Sequence, residues 1–160
     1  MRIGYGFAAG RSKEKDDKYI VLAGEKISWR SGVFSDAETD RDVLSLAVAE
    51  ALVGAMGLGS LQQCSAMEFD LKHLTGLQVV EQASRLMEEQ GFALCNMDIK
   101  VLLQEIRPQP LLEQMKANLC SALGCTSGEV NLKLGNEQWL GYTGSGDGFN
   151  ATAVCLIKKK

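Results

Sequence analysis

The sequence contains a single histidine, His73, and no pair of cysteines spaced as CxxC. A metal site needs several convergent His, Cys or carboxylate ligands, and a Ser-His-Asp or Cys-His catalytic group needs a histidine beside a nucleophile. His73 follows Lys72 in a polar stretch that supplies no such neighbours. We therefore interpret His73 as a solvated loop residue, with a metal or catalytic role as the less favoured alternative.

Long apolar runs and an excess of positive charge are also missing. No segment approaches the roughly 20 apolar residues of a membrane helix, and Arg2 with the charged run 11–18 does not fit a signal peptide. The 17 Lys and Arg against 20 Asp and Glu give a formal net charge of −3, which does not attract nucleic acid or anionic lipid. Five cysteines are an odd number, which argues against a disulfide framework. We expect a cytoplasmic protein that binds neither nucleic acid nor membranes.

The hydrophobic content is sufficient for one folded domain, because 46% of the 160 residues are hydrophobic. The apolar periodicity predicts strands, two helices, a strand, a helix and two closing strands. The predicted strands span 2–7, 19–22, 26–29, 97–103, 130–134 and 151–157, and the predicted helices begin near residue 40 and span 76–90 and 112–122. This order predicts an α/β (α+β) domain over 1–160, with a single layer of helices on a mixed four- to five-stranded sheet.

Two glycine-rich segments allow more than one interpretation. Residues 4–9 match the G-x-G-x-x-A pattern of dinucleotide-binding turns, but the charged run 11–18 has no apolar stripe for the helix that should follow, so a glycine-kinked strand is favoured. Residues 141–148 are able to present backbone amides to an anion. They lack the Lys-Ser/Thr of a P-loop and precede a strand, so a tight turn is favoured.

A cluster of acidic residues precedes the first long helix. It consists of Asp36, Glu38, Asp40 and Asp42. Carboxylates in such number are able to hold Mg²⁺ or Ca²⁺, but their spacing is not that of an EF-hand. Thr39 and Asp42 have the spacing of a capping box, and negative charge is favourable at a helix N-terminus. We favour the helix start and keep the cation site as the alternative.

Several short motifs lie in the order typical of one family. They are MRIGYGFAAGR at 1–11, LAG at 22–24, SD at 35–36, ALVGA at 51–55, NMD at 96–98, QM at 114–115, LGC at 123–125, VNLK at 130–133 and LGYTG at 140–144. Over nearly its whole length the chain resembles 2-C-methyl-D-erythritol 2,4-cyclodiphosphate synthase of the non-mevalonate isoprenoid pathway. The resemblance implies a homotrimer around an axis, active sites between neighbouring subunits, and zinc with magnesium or manganese as metal ions.

The chain departs from this family at the metal ligands. The positions of the family's Asp-x-His and of a further His on the first long helix correspond to Ala8, Gly10 and Leu46. None of these side chains is able to ligate a cation. Segment 34–42 replaces the family's His-Ser-Asp-Gly-Asp and contains an insertion, and we expect its Phe34 to close the former metal pocket together with Leu46. Other changed positions are Ser60, residues 135–138 and Ser145.

These losses predict a homotrimeric binding or structural protein without catalytic residues or a cofactor. One alternative is a working, CMP-releasing lyase with a metal site in the acidic segment 36–42. Another is a non-catalytic subunit in mixed trimers with an intact cyclase. By resemblance, the candidate ligand-binding residues are Ser35, Asp36, Gln104, Arg107, Thr143 and Gly144.

Overall fold

The computed structural model describes residues 1–11, 19–28, 42–65, 73–104 and 109–160. The strands are β1 (Arg2–Arg11), β2 (Tyr19–Leu22), β3 (Glu25–Ser28), β4 (Phe92–Leu102), β5 (Val130–Gly135) and β6 (Gly148–Lys159). The helices are α1 (Val43–Met56), α2 (Leu61–Ser65), α3 (Gly76–Glu89), α4 (Leu112–Leu123) and α5 (Gly141–Gly144), with a 3₁₀ turn at Gln109–Leu111. None of the described helices has both the length and the apolar content to cross a bilayer.

Four strands form one mixed sheet in the order β1-β6-β4-β5. β4 and β5 are parallel, whereas β6 is antiparallel to both β1 and β4. Helices α1, α3 and α4 lie on one face of this sheet, and β2 and β3 pair separately as a hairpin. The predicted layer of helices on a mixed four-stranded sheet is therefore confirmed. Residues 4–9 lie inside β1 and pair with β6 throughout, which agrees with the strand interpretation of that glycine-rich segment.

Helix α1 packs closely on β1 because β1 presents glycines to it. A β-carbon built at Gly4 would lie 1.8 Å from the carbonyl oxygen of Ala51, and one at Gly6 would lie 2.0 Å from that of Ala47. Any larger residue at either position would separate the helix from the sheet. Nearly all of α1 is buried, because α3 covers the side that the sheet does not. This helix, rich in small residues, therefore lies in the core.

The β2-β3 hairpin turns through Ala23 and Gly24, which have φ values of 47° and 77°. Positive φ at both positions is typical of a type I′ turn, which matches the twist of the flanking strands. The turn therefore has two residues, and Glu25 already belongs to β3, one residue before the predicted start of this strand at residue 26. Trp29, the last residue of the predicted strand, lies outside the described residues.

Several element boundaries differ from the predictions, and β1 and β6 both extend beyond the predicted ranges. Helix α1 begins at Val43 with Asp42 as its N-cap, not near residue 40, and Thr39 lies outside the described residues. Strand β4 begins at Phe92, five residues before the predicted start. The segment 141–148 contains the one-turn helix α5 and the first residue of β6, not only a tight turn, because backbone hydrogen bonds extend from Gly144 and from Ser145 back to the preceding turn.

Candidate functional site

The three positions that the resemblance aligns with the family's metal ligands lie at one end of β1 and α1. Ala8 and Gly10 are two residues apart on β1, so both face the helix layer. Since α1 places Ala47 against Gly6, the start of this helix lies next to the end of the strand that carries Ala8 and Gly10. Leu46 belongs to that start and packs, half-buried, against the hydrophobic core, as does Ala8.

The side chains at these positions do not fit a bound metal ion. Ala8 offers a methyl group, Leu46 an isobutyl group and Gly10 no side chain, so none carries a lone pair for a cation. In the part of the chain that the structure describes, no three His, Cys, Asp or Glu side chains come close enough to hold a metal. His73 lies exposed in the turn before α3, in agreement with the loop interpretation. Phe34 lies outside the described residues.

An aromatic ring fills the space in front of Gly10. Phe149 is the partner of Gly10 in the pairing of β1 with β6, and its side chain is only 2% exposed. A β-carbon built at Gly10 would lie 2.4 Å from Cζ of this ring and 2.8 and 2.9 Å from its two Cε atoms. The ring therefore occupies the volume that a side chain at position 10 would need. The sequence pattern did not predict this contact, because it depends on the register of β1 and β6, which places the aromatic residue opposite the glycine.

The acidic segment contributes one described residue, Asp42, and this residue is buried. Its carboxylate accepts hydrogen bonds from the backbone N–H groups of Ala23 and Gly24, both at 2.9 Å. The backbone N–H of Ser45 at 3.0 Å and the Ser45 hydroxyl at 2.7 Å are further donors. Burial raises the pKa of Asp42 to about 6, although the hydrogen bonds from Ser45, Ala23 and Gly24 act in the opposite direction.

Asp42 is thus a structural residue that joins the hairpin turn to the start of α1. This agrees with the favoured interpretation of a helix start, and Asp42 does not support the alternative of a cation site, because its oxygens accept from backbone N–H donors and a hydroxyl. The other members of the cluster lie outside the described residues: Asp36, Glu38 and Asp40.

Three of the candidate ligand-binding residues meet at one segment, residues 136–140, which we name the Trp139 loop. The Gln104 side-chain oxygen accepts a hydrogen bond from the backbone N–H of Trp139 at 3.4 Å. Thr143 is buried, and its hydroxyl donates a hydrogen bond to the carboxylate of Glu137. A β-carbon at Gly144 would lie 2.4 Å from the carbonyl carbon of Trp139, so only glycine allows this approach. The remaining candidates lie outside the described residues: Ser35, Asp36 and Arg107.

The Trp139 loop has a strained backbone and an exposed apolar surface. Gln138 and Trp139 have φ values of 49° and 67°, which cost roughly 1 kcal/mol or more for each residue with a β-carbon. Trp139 and Leu140 are 71% and 72% exposed. The contacts from Gln104, Thr143 and Gly144 hold this conformation. Sequence reasoning missed the loop because neither Gln nor Trp signals positive φ.

A cavity of about 350 Å³ opens beside the end of β1, and sequence reasoning did not predict it. It is lined by Ala9, Gly10, Arg11, Tyr142 and Asp147. The Tyr142 hydroxyl accepts a hydrogen bond from the side-chain amide of Asn150 at 2.7 Å, which fixes the Tyr142 ring over this end of the sheet. The cavity therefore combines a cation, a carboxylate and a phenol on a rigid base.

Comparison with known proteins agrees with the geometry of the fold. The model of the YgbB family matches residues 1–158. The chain is 32% identical to the 2-C-methyl-D-erythritol 2,4-cyclodiphosphate synthase of Trichlorobacter lovleyi over 158 residues, which cover 98% of each protein. It is also 32% identical to the synthase of Chlorobaculum parvum over 161 residues, with complete coverage of both.

Two solved structures share the fold. The Plasmodium vivax 2C-methyl-D-erythritol 2,4-cyclodiphosphate synthase superimposes with a TM-score of 0.82 at 25% identity, covering 99% of this chain and 98% of that one. The bifunctional IspDF from Campylobacter jejuni gives a TM-score of 0.87 at 25% identity, covering 99% of this chain and 42% of that one. Since the family model extends over residues 1–158, the chain belongs to the YgbB family.

Proposed function

We propose that this chain is a non-catalytic homologue of 2-C-methyl-D-erythritol 2,4-cyclodiphosphate synthase that acts as a homotrimeric binding or structural protein. The observation that carries the proposal is the chemistry of Ala8, Gly10 and Leu46, which lie at one place in the fold and offer no metal-binding atom. The proposal includes the absence of a resident metal cofactor.

The family reaction explains why this change abolishes catalysis. In it, one phosphate attacks the β-phosphorus of a cytidine diphosphate ester and expels CMP, so negative charge accumulates on several oxygens. Metal ions neutralise that charge and align the attacking and leaving groups. Loss of a single preorganised electrostatic donor commonly costs about 3 kcal/mol of the barrier. Because three protein ligands are replaced together, we expect activity close to the uncatalysed rate.

Self-association is supported by the sheet face opposite the helices. Ile3, Tyr5 and Phe7 are 73%, 61% and 48% exposed on β1, and Val154 of β6 is 42% exposed. These side chains form a continuous patch, because Val154 is the direct strand partner of Tyr5. An apolar patch of this kind is typical of a protein interface. We assign this face to contacts between identical subunits.

Three of the candidate ligand-binding residues contact the Trp139 loop, and this loop is the surface on which we propose that a ligand binds. Gln104, Thr143 and Gly144 already contact the loop, so we propose that they set its conformation and that a ligand would meet the exposed Trp139. We keep Ser35, Asp36 and Arg107 as further binding candidates. All five cysteines are free, which supports the proposal that the protein acts in the cytoplasm.

Elemental analysis of the untagged protein tests the proposal, together with a CMP-release assay on the cytidylyl substrate in Mn²⁺ or Mg²⁺. The Trichlorobacter lovleyi relative serves as the matched positive control. We expect no stoichiometric metal, no CMP release above background and the mass of a trimer in light scattering. About one tightly bound zinc ion per subunit, or CMP release at the rate of the control, would refute the proposal.

Two other outcomes correspond to the alternative functions. CMP release that Asp36→Ala abolishes would indicate a lyase with a rearranged metal site in the segment 36–42. Co-purification with an intact cyclase, and no stable trimer of this chain alone, would indicate a non-catalytic subunit of a mixed trimer. The buried position of Asp42 removes one carboxylate from the first alternative.

A further inference from the structure

We infer that Phe149 closes the family's metal position at Gly10, so that metal binding is prevented by an aromatic ring in the site as well as by the missing ligands. This inference rests on the proposed function and deepens it, because it names a second obstacle to metal binding besides the missing ligands. It concerns Phe149, which lies on β6 and is not one of the three replaced ligand positions.

The geometry of the Gly10 and Phe149 pair carries the inference. The two residues are direct partners in the antiparallel pairing of β1 and β6, and the Phe149 ring lies across the Cα of Gly10. All three ring atoms nearest to a β-carbon at position 10 would be closer than 3.0 Å, a separation that real β-carbons do not show. Introducing any side chain at position 10 therefore requires the ring to move.

The surroundings give the ring little freedom to move. Phe149 is 2% exposed and belongs to the core, so rotation towards water would expose its whole apolar surface. The opposite face of the same strand is covered as well, because a β-carbon at Gly148 would lie 3.0 Å from Cδ2 of Tyr142. The Tyr142 ring is held in place because its hydroxyl accepts a hydrogen bond from the Asn150 side-chain amide at 2.7 Å. The end of the strand pair is thus packed by an aromatic ring on each face.

Restoring the three metal-ligand side chains is therefore not enough to create a metal site. A divalent cation needs donor atoms at about 2.0–2.2 Å and is strongly disfavoured in a purely apolar environment. With Phe149 in place, a histidine at position 10 would compete with a buried ring for the same volume. Removal of the ring is therefore a separate requirement for a metal site.

The experiment compares two variants that differ only at position 149. One carries Ala8→Asp, Gly10→His and Leu46→His, and the other carries Phe149→Ala in addition. Zinc affinity is measured by competition with a chromophoric chelator, and Co²⁺ absorption reports on coordination. We expect the fourfold variant to bind zinc at least about 100-fold more tightly than the threefold variant. Equal affinities, whether both variants bind or neither does, would overturn the inference.

A second measurement keeps the inference testable if the threefold variant does not fold. Gly10→Ala should lower the urea midpoint of the wild-type protein and should lower it much less in a Phe149→Ala background. Gly128→Ala is the matched control, because its β-carbon would meet no atom closer than 3.9 Å. Independence of Gly10→Ala and Phe149→Ala would contradict the contact.

The ring also provides a spectroscopic signature in the unmodified protein. The Gly10 Hα resonances should be shifted upfield by the ring current of Phe149, and Phe149→Leu should abolish that shift. Unshifted resonances would count against the inference. Equal zinc affinities of the two variants, with no zinc on the wild-type protein, would refute the inference alone, whereas CMP release by the wild-type protein would refute the proposed function, so the two failures are distinguishable.

Discussion

Replacing Asp42 by asparagine should remove a pH-dependent part of the free energy of unfolding. The Asp42 carboxylate is fully buried, and desolvation raises its pKa from the ordinary 3.8 to about 6 despite the hydrogen bonds that it accepts from Ser45, Ala23 and Gly24. A pKa difference of this size between the folded and unfolded states changes the free energy of unfolding by about 3 kcal/mol.

The direction of the effect depends on the sign of this pKa difference. Because the pKa is higher in the folded state, the folded protein holds the proton of Asp42 more tightly than the unfolded chain does. Asp42 therefore stabilises the folded protein fully at pH values below the pKa that Asp42 has in the unfolded chain. This stabilisation is lost as the pH rises through about 6. The free energy of unfolding of the wild type, relative to that of Asp42→Asn, should therefore fall by about 3 kcal/mol between about pH 3.5 and about pH 7.

The assay is urea unfolding at a series of pH values, followed by circular dichroism at one fixed subunit concentration because association affects apparent stability. Asp98→Asn is the control. The exposed Lys133 ammonium, at 2.6 Å, holds the pKa of Asp98 below its usual range, so the difference for that variant should be small and should grow as the pH rises. A difference for Asp42→Asn that stays constant or grows with pH would refute the reasoning.

Gly6→Ala should lower the free energy of unfolding by about 3 kcal/mol or more, because its β-carbon would lie 2.0 Å from the Ala47 carbonyl oxygen and force α1 away from the sheet. In the same urea assay, Gly128→Ala should cost less than about 1 kcal/mol, and equal losses would contradict this packing. Burial raises the pKa of the Cys155 thiol to about 11, so at pH 8 an aromatic disulfide reagent should modify the partly exposed Cys95 first. Mass spectrometry identifies the labelled site, and early labelling of Cys155 would disprove its protection.

Hydrophobic periodicity predicted the main elements and failed where the backbone departs from regular geometry. In β4, Leu94 faces the core, and so does Met97, three residues later, because a bulge shifts the register between Leu94 and Asn96. The bulge interrupts the alternation of apolar and polar residues, so the periodicity detected only the part of the strand after it. Helix α2 was missed because its five residues are too few to show a helical period.

The candidate site was predictable only in part, for a different physical reason. Single positions such as Ala8 and Leu46 reveal the loss of donor atoms, because the side chain alone decides whether a cation is bound. The Phe149 contact and the strained Trp139 loop depend on how distant segments meet, and Trp139 is held by Gln104 from 35 residues away in the chain. Such contacts follow from strand register and loop closure, which local patterns do not specify.

The overlap at Gly10 also limits which substitutions this end of the sheet tolerates. A β-carbon at position 10 and the present Phe149 ring need the same volume. A residue larger than glycine at position 10 therefore requires a smaller residue at position 149, and the effects of the two changes are not additive. Variants of this strand pair are for that reason informative only when both positions are changed together as well as singly.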